Sequence, residues 1–452
     1  MNKKLKRSSI FFASGLILLN FAACGKKDDG LTQFLENAPQ DELMLAGYVA
    51  PYEVTEEAFT LYKNCGLNTV AFGGNQYELE LNSDNFWYWG SRRQDKGLEL
   101  CKKLGLDAIL RYGDWLGELI EGSWSETPFS DYTYEEYRDI IKAVHIADEP
   151  RTQEHWETYG NDSLTADFQK NFDVPYMVNL LPTYSGKENL GGTYDDYLKT
   201  YEEYILSDFS DNYMISVDFY PRDKNSGKLR NDWIMCYEKI ANLAKKYNAF
   251  THFYIDSAQA GDLYDVKSEQ DLRLQMNVGL AFGGAAFSYY CYSVPPGWNY
   301  NYCLLNPDGT PSPFYFGAQK VNAEAQSFAK EYLAFDWVKS VAVYEGEEPI
   351  EYGMMRLQEN LDDRKYVQDI SANGDVLVGC FEKQGYEAYM LVSYVNPDEQ
   401  GEVDITLTLQ DKNALLVYTG NEKTNGQRIE AKDGKVKLTI PYGYAVFVIP
   451  TK

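Results

Sequence analysis

Twice early in the chain a helix-forming run stops at a glycine and turns straight into a short apolar run. Cys65-Gly66-Leu67-Asn68 opens "GLNTVAF", and Leu104-Gly105-Leu106-Asp107 opens "GLDAILRY". A glycine just past a helix takes the left-handed backbone that closes the last turn. The join therefore reads as helix, tight stop, strand. Repetition of this unit constrains the fold more than any other feature, because alternating strands and helices build parallel sheets.

The rhythm starts at "LMLAGY" (43–48) and runs through "AVHIADEP" (143–150), "PYMVNLLP" (175–182), "YMISVDFYP" (213–221), "FTHFYID" (250–256) and "AAFSYYCY" (285–292). Helix starts are marked between them. Thr55 is placed to cap a helix with Glu56 and Glu57 in its first turn. Ser268-Glu269-Gln270-Asp271 reads as a capping box, and that helix ends at Gly283-Gly284. A last helix is expected over 314 to about 333. Eight strands alternating with helices predict a (β/α)8 barrel over residues 43–337. A doubly wound open sheet is the alternative, but it usually has fewer strands, and no GxGxxG follows the first strand here.

After Trp337 the period changes. "DVLVGCF", "YEAYMLVSYV", "VDITLTL", "ALLVYTG", "KVKLTI" and "YAVFVIP" are short alternating strands separated by Gly, Asn and Lys turns, with no helix between them. They predict a small antiparallel β-sandwich over 338–452.

The N-terminus is read as processing signal rather than fold. Residues 1–7 are basic, and Ile10 to Leu19 is an apolar run short for a bilayer span. Phe21-Ala22-Ala23-Cys24 then resembles the lipobox of a bacterial lipoprotein signal. That resemblance implies a signal peptide over 1–24 and lipidation of Cys24. It implies an anchored, extracytoplasmic protein of the bacterial cell envelope. Residues 25–42 read as a tether, and the acidic residues after Cys24 resemble a surface-export signal.

Charge and composition narrow the partners. The net charge of -26 disfavours nucleic acid, since little here would neutralise phosphates. The other six cysteines are scattered without CxxC spacing, and the three histidines are not clustered, so a zinc site is disfavoured. Thirty-eight tyrosines supply rings with polar tips, suited to flat hydroxylated ligands, though most must simply pack.

Barrel chemistry sits at the C-terminal ends of the strands. Strict alternation turns His145, Ala147 and Glu149 of the fourth strand inward and Asp148 outward. On the sixth it turns Ser216, Asp218 and Tyr220 inward, and on the seventh His252, Tyr254 and Asp256. Arg111 and Asn179 join them by the same parity. Glu149, Asp218 and Asp256 thus converge on one mouth. A carboxylate there is costly to desolvate unless it is used or paired, and Arg111, His252 or Arg222 are the candidates for pairing. Two carboxyl groups flanking a bond are what glycoside hydrolysis requires. Trp87, Trp89, Trp115, Trp124 and Trp298 lie on loops where indoles can stack on sugars, or pack as ordinary loop residues.

These motifs resemble a family. "ADEP" is similar to the "NEP" acid/base motif of the clan A glycoside hydrolases, the (β/α)8 group that includes the family 42 β-galactosidases. "LRLQMNVGLAFGGAAFSYYCY" resembles their seventh helix and eighth strand, and "CLLNPDGTPSPFYFGAQKVNAEAQ" the segment that closes the barrel. The resemblance covers most of 43–335. It implies Glu149 as general acid/base, a carbohydrate substrate and no cofactor. Two departures stand out. Asp148 replaces the clan's Asn, and the seventh strand offers Asp256 where the clan has a nucleophilic Glu, leaving Asp218 as competitor. Asp148-Glu149 also resembles the pair of the substrate-assisted hexosaminidases, in which the substrate's acetamido group attacks. A third reading is a glycan-binding lipoprotein that kept the barrel without catalysis, with Glu149 paired by a cation.

Overall fold

The computed structural model describes residues 30–72, 91–111, 136–151, 156, 174–206, 213–223, 226–260, 264–265, 268–295, 298–344, 360–395 and 399–452. Eight parallel strands close into a barrel in chain order. They are β1 (Met44–Gly47), β2 (Thr69–Ala71), β3 (Asp107–Arg111), β4 (Ile141–Asp148), β5 (Tyr176–Leu180), β6 (Tyr213–Val217), β7 (Phe250–Asp256) and β8 (Gly284–Tyr290). Closure is by β8 on β1, Met44 lying opposite Ala286 and Gly47 opposite Tyr289. The (β/α)8 expectation therefore holds strand by strand.

The local signals act as their chemistry dictates. Thr55 Oγ1 accepts the Ala58 N–H at 3.2 Å, and Ser268 with Asp271 forms the capping box. Gly66 and Gly105 both sit at positive φ, 80° and 64°, where a side chain would be strained. The last helix is broken in two, Pro313–Gln326 and Ala329–Leu333. Among the described residues no helix is long and apolar enough to cross a membrane.

Side-chain parity follows alternation on β6 and β7. Ile215, Val217, Phe253 and Ile255 join the large core between strands and helices. Met177, Met214, Tyr254 and Ala286 belong to a separate cluster inside the barrel. Strand β4 departs from it. His145 lies opposite Met177 and Ala147 opposite Val178, so Ile146 has no partner on β5. That bulge sends both Ile146 and Ala147 to the outer core. Asp148 therefore changes face, while Glu149, at φ +48°, leaves the regular alternation. The expectation of Ala147 inward and Asp148 outward is corrected: Asp148 pairs with Asn179 and points into the barrel.

Among the described residues nine antiparallel strands follow. Asp336–Val343 (β9), Val376–Lys383 (β11), Tyr386–Ser393 (β12), Ala445–Thr451 (β17), Ala414–Tyr418 (β14) and Gln427–Glu430 (β15) form one sheet in that spatial order; Val367–Ala372 (β10), Glu402–Leu409 (β13) and Lys435–Pro441 (β16) form the other. Val378, Leu391 and Val448 of the first sheet pack with Ile405, Leu407 and Val436 of the second, the interior of a sandwich. The opposite face of the six-stranded sheet lies on the barrel. Phe447 meets Phe328, Tyr332 and Phe335 there, with ring centroids 5.6–6.0 Å apart. Trp337 Nε1 and Ser340 Oγ both donate to Ala281 O, at 3.1 and 2.8 Å. A Cβ on Gly379 would come within 2.3 Å of that same oxygen, so only glycine permits this approach.

Candidate active site

Three carboxyl groups meet at the C-terminal mouth. Asp148, the last residue of β4, accepts the Tyr48 hydroxyl on Oδ2 at 3.1 Å and the Asn179 amide on Oδ1 at 3.0 Å. Glu149 follows with φ +48°, a left-handed backbone uncommon for a non-glycine residue and worth attention where it occurs. Its N–H still donates to Asn179 O at 2.9 Å. Pro150 ends the strand, and its carbonyl accepts the Tyr197 hydroxyl at 3.0 Å. Tyr197 in turn accepts the Leu181 N–H at 3.1 Å. The backbone after Glu149 is thus pinned to the end of β5 by one buried phenol.

Asp218 lies one residue beyond β6. It is 9% exposed, and its Oδ1 has no hydrogen-bond partner among the described residues. Burial, then the charges of Glu149 and Asp148, push its carboxyl well above the usual carboxylate range, against a hydrogen bond from Asn179. Glu149 comes within hydrogen-bonding reach of Asp218. Burial and the Asp148 charge also raise Glu149, opposed by Arg151. Arg151 Nη2 lies 3.1 Å from Glu149 Oε2, but its side chain is 51% exposed. Solvent weakens such a pair, which explains why the net direction stays upward. The Glu149 charge raises Asp218, while the hydrogen bond from Asp218 opposes the rise at Glu149; both carboxyls stay raised.

Asp256 behaves differently. It is 1% exposed; its Oδ1 accepts the Ala258 N–H at 3.1 Å, and its own N–H donates to Gln275 Oε1 at 2.7 Å. One oxygen of its carboxyl thus caps the turn after β7, and Asp218 lies within hydrogen-bonding reach of Glu149. Arg222 does not pair with the mouth acids. Its Nε donates to the buried Asp271 carboxylate at 2.7 Å and its Nη1 to Gly227 O at 2.7 Å.

Aromatic rings wall the mouth. Tyr290 stacks on Tyr48 at 5.6 Å, Tyr220 packs on Tyr290 at 5.2 Å, and Tyr254 meets Tyr48 edge-on at 5.8 Å. Tyr300 carries the half-buried Trp298 edge-on at 5.2 Å, and its hydroxyl lies 3.3 Å from that of Tyr290. Beyond them Tyr184, 36% exposed, has the Arg230 guanidinium 4.3 Å over its ring.

The structure thus gathers Asp148, Glu149, Asn179 and Asp218, with Tyr220, Tyr254 and Trp298 in the adjoining wall. His252 is fully buried and hydrogen-bonded to Ser216 and Ser288, so it lies beneath the mouth rather than on it. Trp87, Trp89, Trp115, Trp124 and Cys24, and the side chain of Arg111, lie outside the described residues. Sequence reasoning missed Tyr48, Arg151, Ser288 and Tyr290. Tyr48 was findable, since it continues the inward parity of Met44 and Ala46 in "LMLAGY". Among the described residues no group of His, Cys, Asp and Glu is disposed to hold a metal ion.

No profile of a known protein family matches the sequence, and no curated protein does. Solved structures do resemble the fold. A β-galactosidase from Bacillus circulans sp. alkalophilus superposes with a TM-score of 0.55 at 9% identity, covering 91% of this chain and 99% of that one. A family 39 glycoside hydrolase from the gut symbiont Bacteroides cellulosilyticus WH2 gives 0.49 at 11% identity, covering 91% and 81%. At such identities the likeness is one of fold: a (β/α)8 barrel followed by antiparallel β-structure.

Proposed function

We propose that this protein is a glycoside hydrolase in which Glu149 is the general acid/base and Asp218 the second carboxylate. The observation that carries this reading is that Glu149 and Asp218 lie within hydrogen-bonding reach of one another, both carboxyls raised by burial and neighbouring charge, in a mouth walled by tyrosines; on this reading the two share one proton. A general acid must hold its proton near working pH, and a raised carboxyl on a strand end next to a second carboxyl meets that requirement. Glu149 gives its proton to the leaving oxygen. Asp218, freed of the shared proton by the bound substrate, attacks the anomeric carbon or activates water. Activity then falls at alkaline pH as the pair loses its proton, with a limb above the ~4 of an ordinary carboxylic acid.

The inward turn of Asp148 favours a second reading: a substrate-assisted reaction on an N-acetylhexosaminide, Asp148 orienting the acetamido group. A panel of aryl glycosides that includes N-acetylhexosaminides separates the two. If Asp218→Asn loses about 10²-fold or more of kcat/KM on neutral glycosides, the first reading stands. If turnover is confined to N-acetylhexosaminides and fails in Asp148→Asn, the second replaces it. Glycan binding without turnover by the parent would contradict both and leave a binding protein. The lipobox further supports an envelope-anchored enzyme facing poly- or oligosaccharide outside the cytoplasm. Labelling with radioactive palmitate, lost in Cys24→Ala, is the expected result for that anchor.

A further inference from the structure

We propose that Asp148 is held as an anion, aimed into the mouth, by a one-way hydrogen-bond belt running Ser288, His252, Ser216, Asn179, Asp148, and that it accepts a hydrogen-bond donor of the bound sugar beside Glu149. The second half rests on the glycosidase reading; the first does not.

The belt crosses four neighbouring strands and ends on β4. Ser288 Oγ lies 2.8 Å from His252 Nε2, and His252 Nδ1 lies 2.7 Å from Ser216 Oγ. Ser216 Oγ donates to Asn179 Oδ1 at 2.9 Å, and Asn179 Nδ2 donates to Asp148 Oδ1 at 3.0 Å. Proton counting fixes the direction. An ionised carboxylate only accepts, so the amide nitrogen of Asn179 must face Asp148 and its oxygen must face Ser216. Ser216 has one proton and gives it to that oxygen, so it can only accept from His252. The ring proton therefore sits on Nδ1, and Nε2 accepts from Ser288. Tyr48 supplies a second donor to Asp148 from β1.

Protonated Asp148 would reverse this logic. Its O–H could donate to Asn179 Oδ1, the amide would turn over, and each later bond would flip until the ring proton moved to Nε2. The tautomer of His252 thus reports the ionisation of Asp148. The ring is neutral in either case: burial, then the nearby His145, push it down to about 3. The groups facing it are Ser216 on β6, Ser288 on β8 and His145 on β4, with Tyr254 edge-on at 5.0 Å. Among the described residues, Tyr48, Asn179, Glu149 and Asp218 face Asp148. Every belt member sits on a barrel strand, so Asp148 is aimed by rigid elements. His252, Ser216 and Asn179 are positioning residues, acting through Asp148.

The test is 15N NMR of the full chain labelled at histidine, whose ring nitrogens differ sharply in shift according to which carries the proton. The chain has three histidines, and His252→Gln assigns the signal. The expected result is a proton on Nδ1, a bare Nε2 and no titration between pH 5 and 8. A proton on Nε2, or a ring that titrates in that range, overturns the belt. The second arm is kinetic, on the best aryl glycoside. Ser216→Ala is expected to lower kcat/KM about tenfold, the cost of one oriented hydrogen bond, with Ser216→Thr restoring most of it and melting temperature as the control for folding. Unchanged kcat/KM in Ser216→Ala overturns the recognition role. If the parent cleaves no glycoside, the proposed function fails while the tautomer still decides the belt.

Discussion

Glu149 is held in a backbone conformation that favours glycine, with φ +48°, at the position where the proposed mechanism needs a carboxyl. For a side-chain residue this conformation costs about 1–2 kcal/mol. Glu149→Gly is therefore expected to be about 1 kcal/mol more stable than Glu149→Ala in urea unfolding, reversing the usual order; equal midpoints would show the backbone is not strained. Asp218 makes a related prediction. Its folded carboxyl titrates above the unfolded one, so the native state binds a proton more tightly and is destabilised once pH exceeds the folded value. Below the unfolded value the penalty vanishes. Asp218→Asn should raise the melting temperature at pH 7 by about 2 °C or more, with the gain shrinking toward pH 4; a loss at pH 7 would contradict the raised carboxyl. The inward carboxyls of β6 and β7 were legible, because Ile215, Val217, Phe253 and Ile255 mark the opposite face. The hydrogen bond from the Ala258 N–H to Asp256 was not, as no residue pattern announces it.

At the scale of elements, the bulge in β4 decides the site. Ile146 and Ala147 are small enough and apolar enough for either face, so the sequence carries no sign that both go outward. One unpaired residue exchanges the faces of the regular strand beyond it, and that exchange brings Asp148 to the Asn179 amide. The turn that follows is fixed from outside by Tyr197, on the helix Tyr194–Tyr201. Tyr197→Phe leaves the Leu181 N–H and the Pro150 carbonyl without their buried partner. It should cost about 1–3 kcal/mol and lower kcat more than it raises KM, because Glu149, the proposed acid/base, moves while the tyrosine wall stays. Wild-type stability and kcat would mean the phenol is dispensable to the turn.

For the whole molecule, the rhythm of glycine stops and capping residues made the barrel legible strand by strand, and the change of period at Trp337 marked the sandwich. What the pattern could not supply is how the two meet. That contact depends on Gly379 lying against Ala281 O and on Phe447 entering an aromatic cluster far away in sequence. Gly379→Ala is expected to destabilise the chain by about 1–3 kcal/mol while leaving kcat/KM of the folded fraction unchanged, as the mouth lies at the other end of the strands; undiminished stability would mean the sheet can shift without loss. The most direct measurement of the central claim compares the parent with Glu149→Gln on aryl glycosides whose leaving groups range from phenol to dinitrophenol. A general acid matters only where the leaving oxygen needs a proton. The account predicts a loss of about 10²–10⁴-fold in kcat/KM for the phenyl glycoside, dwindling toward dinitrophenyl. Equal turnover by both proteins on the phenyl glycoside, or a loss of the same size across the series, would contradict Glu149 as the proton donor.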